Sequence, residues 1–272
     1  MTKVFVFAYN RYETMTTSMM LEADGVEHTV LCHLPSDAEK FVEGSRVVPE
    51  RLLVTGEPKG LANNRNFALD LMEEGEWALF LVDDLLQCYE LDDYDTQETD
   101  ELPITFENQN LYRRKFKTPI STADLLRRAE ETIPKLEEMG CALLGWAGFE
   151  NPMFRKKHWG VNILADGRAW LVKKTHLRFD SEAQLIDDLC WTAKNIKEFG
   201  VVLVDRWILP DARRYTAGGF GGLNERMEQK LREAAYLVNT YPDLIAYRKK
   251  KGWPDGSHVA LRNTLNRTKK IK

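Results

Sequence analysis

The sequence predicts an α/β fold, a mainly parallel central sheet flanked by helices, on three observations. The first is the apolar run Trp77-Ala78-Leu79-Phe80-Leu81-Val82, which lacks alternation and ends in Asp83-Asp84. A run of that length without alternation reads as a strand buried on both faces. The second is a β-α-β-α-β opening, which argues for parallel strands with ligand crevices at their carboxyl edge. The third is the glycine punctuation at Gly25, Gly75 and Gly140, each following a helical pattern. Two acidic side chains at the end of a buried strand are costly unless a cation meets them. A divalent metal carrying a diphosphate suits, because hard cations prefer carboxylate and phosphate oxygens. A solvated acidic turn is the other reading.

In chain order, Lys3–Ala8 is a strand running into Tyr9-Asn10-Arg11-Tyr12, and a helix follows from Thr14 to Leu21. His28–Leu34 is the second strand, Pro35 opens a short helix, and Leu52–Val54 is the third strand. In Gly60-Leu61-Ala62-Asn63-Asn64-Arg65-Asn66, a helix begins with Lys59 and Arg65 beside its N-terminus, a setting that suits phosphate oxygens. Residues 92–118 read as a long irregular insertion, and loops of that length in compact domains are functional or disordered. Ser121-Thr122-Ala123-Asp124 has the pattern of a capping box for a helix reaching Met139, with Pro134 expected to bend it. Cys141–Phe149 reads as a strand, and Gly160–Ile163 and Ala169–Lys173 read as a hairpin across Ala165-Asp166-Gly167. Ser181, with Gln184 three residues on, reads as the cap of a helix carrying Asp187 and Asp188. Val201–Leu209 is the last predicted strand, followed by the glycine-rich segment Arg213–Gly222 and a helix from Leu223 to Tyr241.

A composition of 43% hydrophobic and 29% charged residues is that of a globular protein. No segment has the length and apolarity of a membrane helix, and Met1-Thr2-Lys3 leads into a strand, not a secretory signal. Cys32, Cys88, Cys141 and Cys190 are far apart in apolar surroundings, which predicts reduced core thiols and a cytoplasmic setting. The net charge of −4 argues against a nucleic-acid binder, but its distribution does not. From Asp205 onward there are 15 Lys/Arg against 7 Asp/Glu, a surplus that suggests one face meets a polyanion.

The order of these parts resembles the GT-A glycosyltransferase fold over roughly residues 3 to 210. Those parts are a first strand ending in Tyr-Asn-Arg, an Asn/Arg-rich helix before a strand ending Asp-Asp, a later helix opening with two acids, and a basic glycine-rich loop. The resemblance implies a nucleotide-sugar-binding domain over 1–210, with residues 211–272 as a basic helical extension packed on it. It implies that Ala8, Tyr9, Asn10 and Arg11 hold base and ribose, with Lys59, Arg65 and Asn66 beside the nucleotide. Asp83 and Asp84 then hold ribose and a Mg²⁺ or Mn²⁺ on the diphosphate of a UDP-sugar. The acids here are adjacent rather than Asp-x-Asp, and His258 is the candidate third ligand.

Leu81-Val82-Asp83-Asp84, Gly145–Pro152 and Arg213–Gly222 more narrowly resemble the phage TET-associated glycosyltransferases. That branch implies hydroxymethylated pyrimidine in DNA as acceptor. Arg213, Arg214, Tyr215, Gly218 and Gly219 would meet the DNA, and Asp188 or Asp187 would be the base. The alternatives are a transferase acting on a glycan or protein, and a non-catalytic DNA-binding protein on the same scaffold.

Overall fold

The computed structural model describes residues 2–56, 60–91, 117–148, 158–212, 223–249 and 254–262. An eight-stranded sheet forms its centre, in the order β3-β2-β1-β4-β9-β7-β10-β8. Its strands are β1 (Lys3–Phe7), β2 (Thr29–Cys32), β3 (Leu52–Val54), β4 (Trp77–Val82), β7 (Leu143–Trp146), β8 (Trp159–Val161), β9 (Ala169–Lys173) and β10 (Leu203–Asp205). All run the same way except β9, antiparallel to β4 and β7, and β8, antiparallel to β10. The mainly parallel α/β expectation therefore holds.

Both faces of the sheet are covered. On β1, Val4 and Val6 face one core while Phe5 and Phe7 face the other; on β4, Leu79 and Leu81 oppose Ala78 and Phe80. The first core is closed by Leu21 of α1 (Thr16–Ala23), Phe41 of α2 (Pro35–Ser45) and Leu125, Ala129 and Leu136 of α4 (Thr122–Glu138). The second is closed by Ala68 and Leu69 of α3 (Leu61–Asp70) and by Trp191 and Ile196 of α5 (Asp187–Phe199). Burial on both faces explains why β1 and β4 read as continuous apolar runs. The Ser121 hydroxyl caps α4 by accepting from the Asp124 N–H at 3.0 Å, and α4 continues unbroken through Pro134.

A smaller sheet, β11-β5-β6, comprises β5 (Leu85–Leu91), β6 (Lys117–Ile120) and β11 (Ile208–Ala212). Only Asp83-Asp84 separates β4 from β5, so the apolar run is β4 alone and the chain passes into the second sheet with the acid pair at the bend. The helix α6 (Leu223–Thr240) and the hairpin β12 (Ile245–Tyr247)–β13 (Val259–Leu261) share a core cluster with α5 through Ala234, Leu237 and Ile245. No helix among the described residues is long and apolar enough to cross a membrane. All four cysteines are buried, and none of them is in a disulfide.

Three local expectations are corrected. The predicted hairpin does not form: β8 pairs with β10, and β9 inserts between β4 and β7. Asn162, in the left-handed region at φ +52°, ties the end of β8 elsewhere, bonding Val202 through N–H and side-chain oxygen and Gly200 through its amide. The predicted strand 201–209 is broken by an Asx turn, in which the Asp205 carboxylate accepts from the Trp207 N–H at 2.9 Å. The helix expected after Ser181 starts at Asp187 instead. Its entry is held by Glu233 of α6, whose carboxylate accepts from the N–H groups of Leu185 (2.8 Å) and Ile186 (3.1 Å).

Gly145 of β7 lies flush against the 165–168 segment, where an added Cβ would stand 2.5 Å from the Cβ of Ala165. Gly145→Ala is expected to lower stability by about 1–3 kcal/mol through overpacking, measured by urea unfolding.

Candidate functional site at the carboxyl edge of the sheet

The chain moves outward from β1 through β2 to β3 and then returns to the other side of β1 as β4. The gap between the carboxyl ends of β1 and β4 is therefore a topological switch point, the place where open α/β sheets bind ligands. Two loops flank it: Ala8–Tyr12 after β1 and Asp83-Asp84 after β4.

The acid bend is built by α1. The Thr17 hydroxyl donates to the Val82 carbonyl (2.6 Å) and accepts from the Leu85 N–H (2.9 Å), while its N–H reaches the Asp83 carbonyl. The Thr16 hydroxyl donates to the Leu85 carbonyl. One threonine pair thus satisfies the backbone on both sides of the two acids. Asp83 and Asp84 are 2% and 3% exposed. Arg11 lies across both: Nη1 is 2.6 Å from Asp83 Oδ1, and Nη2 is 3.1 Å from Asp84 Oδ2. The second Asp83 oxygen accepts from the Tyr9 N–H at 3.0 Å. Burial raises the Asp83 pKa, with Arg11 and the Tyr9 N–H pulling the other way. Asn10, exposed and at φ +54°, makes the turn that brings Arg11 back over β4. The Tyr9 ring meets the buried His33, at the end of β2, edge-on at 5.5 Å.

Arg65 and Asp187 of the expected set lie together beside this crevice. Arg65, expected near phosphates, is 2% exposed and stacks over Trp170 at 4.4 Å, with Phe7 and Phe179 at 5.5 and 5.3 Å. Its guanidinium contacts the Asp187 carboxylate. Burial lowers its pKa to about 9, against the pull of Asp188. Asn66 is spent on packing: its oxygen accepts from the Phe179 N–H (2.7 Å) and its amide donates to the Phe179 carbonyl (3.0 Å). Ala8 is buried and its N–H pairs with the Leu31 carbonyl.

Asp188 faces the 165–168 segment, which the Val82 N–H joins to the end of β4 through the Arg168 carbonyl. Desolvation raises its pKa to about 6, and the neighbouring Asp166 adds to the rise. Asp166 is oriented by Arg168, whose Nε donates to it at 2.6 Å while Nη2 donates to the Ala147 carbonyl. Sequence reasoning read Asp166 only as a turn residue and passed over Thr16, Thr17 and Arg168. A charged pair two residues apart at the mouth of a strand was the available signal.

His258 belongs to the β12–β13 hairpin, where its carbonyl accepts from the Arg248 N–H. No group of three or more His, Cys, Asp or Glu among the described residues is arranged to hold a metal. Asp83 and Asp84 do fit a cation by donor chemistry: they are buried hard oxygens, and Arg11 is already a stand-in cation between them. Lys59, Arg213, Arg214, Tyr215, Gly218 and Gly219 lie outside the described residues, as do 92–116 and 149–157. The chain matches no protein-family model and no curated protein sequence.

Because Asp188 holds its proton more tightly folded than unfolded, the native state carries the extra proton between pH 3.8 and about 6. Stability due to this group is therefore greatest below that window and falls as pH rises through it. Asp188→Asn is expected to remove that fall, seen as a smaller loss of urea midpoint between about pH 4 and about pH 7 than in the wild type.

Proposed function

We propose that the protein is a glycosyltransferase of the GT-A type, moving a sugar from a nucleotide-sugar donor to a hydroxymethylated pyrimidine base in DNA. The observation that carries this reading is the buried acid pair at the β1/β4 switch point, with the Tyr9–Arg11 loop folded onto it. The strand order β3-β2-β1-β4, with antiparallel β9 beyond, supports the same scaffold.

In this reading the crevice between the two loops takes the nucleotide, with Tyr9 and His33 on the side of the base and Asp83 toward the ribose. Asp83 and Asp84 would hold a divalent cation, and that group, when bound, supplies positive charge to the departing diphosphate. Arg11 contributes charge-assisted hydrogen bonding at the same place. Asp188 takes the proton from the attacking hydroxyl. Its pKa near 6 leaves it ionised at neutral pH yet far more basic than an ordinary aspartate, which suits a general base. Arg65 neutralises Asp187 from within the core, so the two acids at the start of α5 have separate jobs. Asp166, clamped by Arg168, keeps Asp188 basic by like-charge proximity. The positive surplus from Asp205 onward supports a polyanionic acceptor. A base taken out of the duplex costs a few kcal/mol, which phosphate contacts can offset.

The test is incubation with UDP-sugars, Mn²⁺ and DNA containing 5-hydroxymethylcytosine, read as nucleoside mass. A hexose or N-acetylhexosamine increment is expected. No increment with any common nucleotide sugar overturns the proposal, and donor hydrolysis indifferent to DNA points instead to a glycan or protein acceptor. Asp188→Asn is expected to lower turnover by roughly 10²–10⁴-fold, with donor affinity little changed. The wild-type rate should rise with pH through about 6 as Asp188 loses its proton.

A further inference from the structure

We infer that Arg11 is an exchangeable internal counter-ion. It holds the seat between Asp83 and Asp84 until a divalent cation replaces it, and once displaced it is free to meet the donor's phosphate oxygens. The inference rests on reading the acid pair as the donor site, but the exchange itself needs no sugar.

Three features argue for exchange over a permanent structural bridge. One guanidinium spans both carboxylates through different nitrogens, so a single positive charge faces two negative ones, a balance that a divalent cation would complete. The partners are unequally fixed. The acid side chains are 3% and 4% exposed on a bend clamped by Thr16 and Thr17, whereas the Arg11 side chain is 20% exposed and extends from a loop that turns at an exposed Asn10. Arg11 can therefore leave by side-chain rotation alone, while the carboxylates stay. Finally, the buried Arg11 Nε has no hydrogen-bond partner among the described residues, where the guanidinium is held by its two outer nitrogens. A departing Arg11 would take its positive charge away from two buried carboxylates, which is unfavourable. Departure is thus linked to arrival of another cation. Binding of the cation alone must displace Arg11 at a cost, and binding with a diphosphate recovers that cost because the released guanidinium gains a new anion.

The test is titration of Mn²⁺ alone into the full chain, followed by the electron paramagnetic resonance signal of free Mn²⁺, and then again with uridine diphosphate present. Arg11→Gln is expected to bind Mn²⁺ alone about tenfold or more tighter than the wild type. Added uridine diphosphate should tighten Mn²⁺ binding more in the wild type than in the variant. Adding Asp84→Asn to Arg11→Gln should abolish the gain. Equal Mn²⁺ affinity of wild type and Arg11→Gln, or no Mn²⁺ binding by the folded variant, overturns the inference. If Arg11→Gln does not fold, Arg11→Lys carries the test. A lysine binds one point rather than spanning both acids, so tighter Mn²⁺ binding than wild type is expected, and an unchanged affinity overturns the inference. A variant that gains Mn²⁺ while the wild type transfers no sugar to any acceptor leaves the exchange standing and removes the glycosyltransferase reading.

Discussion

Two adjacent carboxylates closed off from water at the end of a central strand need a cation beside them, and in this molecule Arg11 supplies one. The rest of the carboxyl edge is arranged around that requirement. The first strand has to lie beside the fourth so that its loop can return a guanidinium to the acids, and the register Phe7↔Val82 sets the two strand ends level. The helix α1 has to begin beneath the bend so that Thr16 and Thr17 can satisfy the backbone where β4 leaves one sheet and β5 enters the other. A strand that simply continued would carry one acid to each face; the bend turns both toward Arg11.

The second concentration of charge is handled differently. Arg65 is almost fully enclosed by Phe7, Trp170 and Phe179, and faces of aromatic rings partly compensate a guanidinium for lost water. Asp187 completes the compensation. The next residue meets different surroundings: Asp188 also feels the charge of Arg65, but burial and the charge of Asp166 outweigh it and raise its pKa. Two neighbouring aspartates on one helix turn thus have different surroundings, Asp187 in contact with a guanidinium and Asp188 held above the ordinary carboxylate pKa by burial and Asp166.

How much of this was legible in the sequence depended on whether the cause was local. β1 and β4 were readable because burial on both faces leaves an uninterrupted apolar run, and the α4 cap because Ser121 and Asp124 are three residues apart. The acid pair was conspicuous because an apolar strand ended in it. What could not be read were causes that act across the chain. Residues 160–173 have the composition of a hairpin, but β9 is buried on both faces at Ala169, Trp170, Leu171 and Val172 and pairs with β4 on one side and β7 on the other. Ser181 and Gln184 match a capping pattern, yet the entry to α5 is satisfied by Glu233, 47 residues beyond Ile186. Arg65 looks like a phosphate ligand in sequence, since nothing nearby announces the aromatic residues that enclose it.

The bend at Asp83-Asp84 has a counterpart that gives the edge its continuity. At the ends of both β4 and β10 the chain passes from the large sheet into the small one, through Asp83-Asp84 in one case and Arg206-Trp207 in the other, and β5 and β11 then pair with each other. An aspartate stands at each transition, accepting from backbone or guanidinium: Asp83 from Tyr9 and Arg11, Asp205 from Trp207, with His158 also 3.0 Å away. The small sheet is therefore rooted at the carboxyl edge at two separated points. A displacement of Arg11 that altered the acid bend would act on the start of β5 directly, and on β11 through the ladder between them. The same geometry that seats Arg11 at the switch point thus joins the small sheet to it.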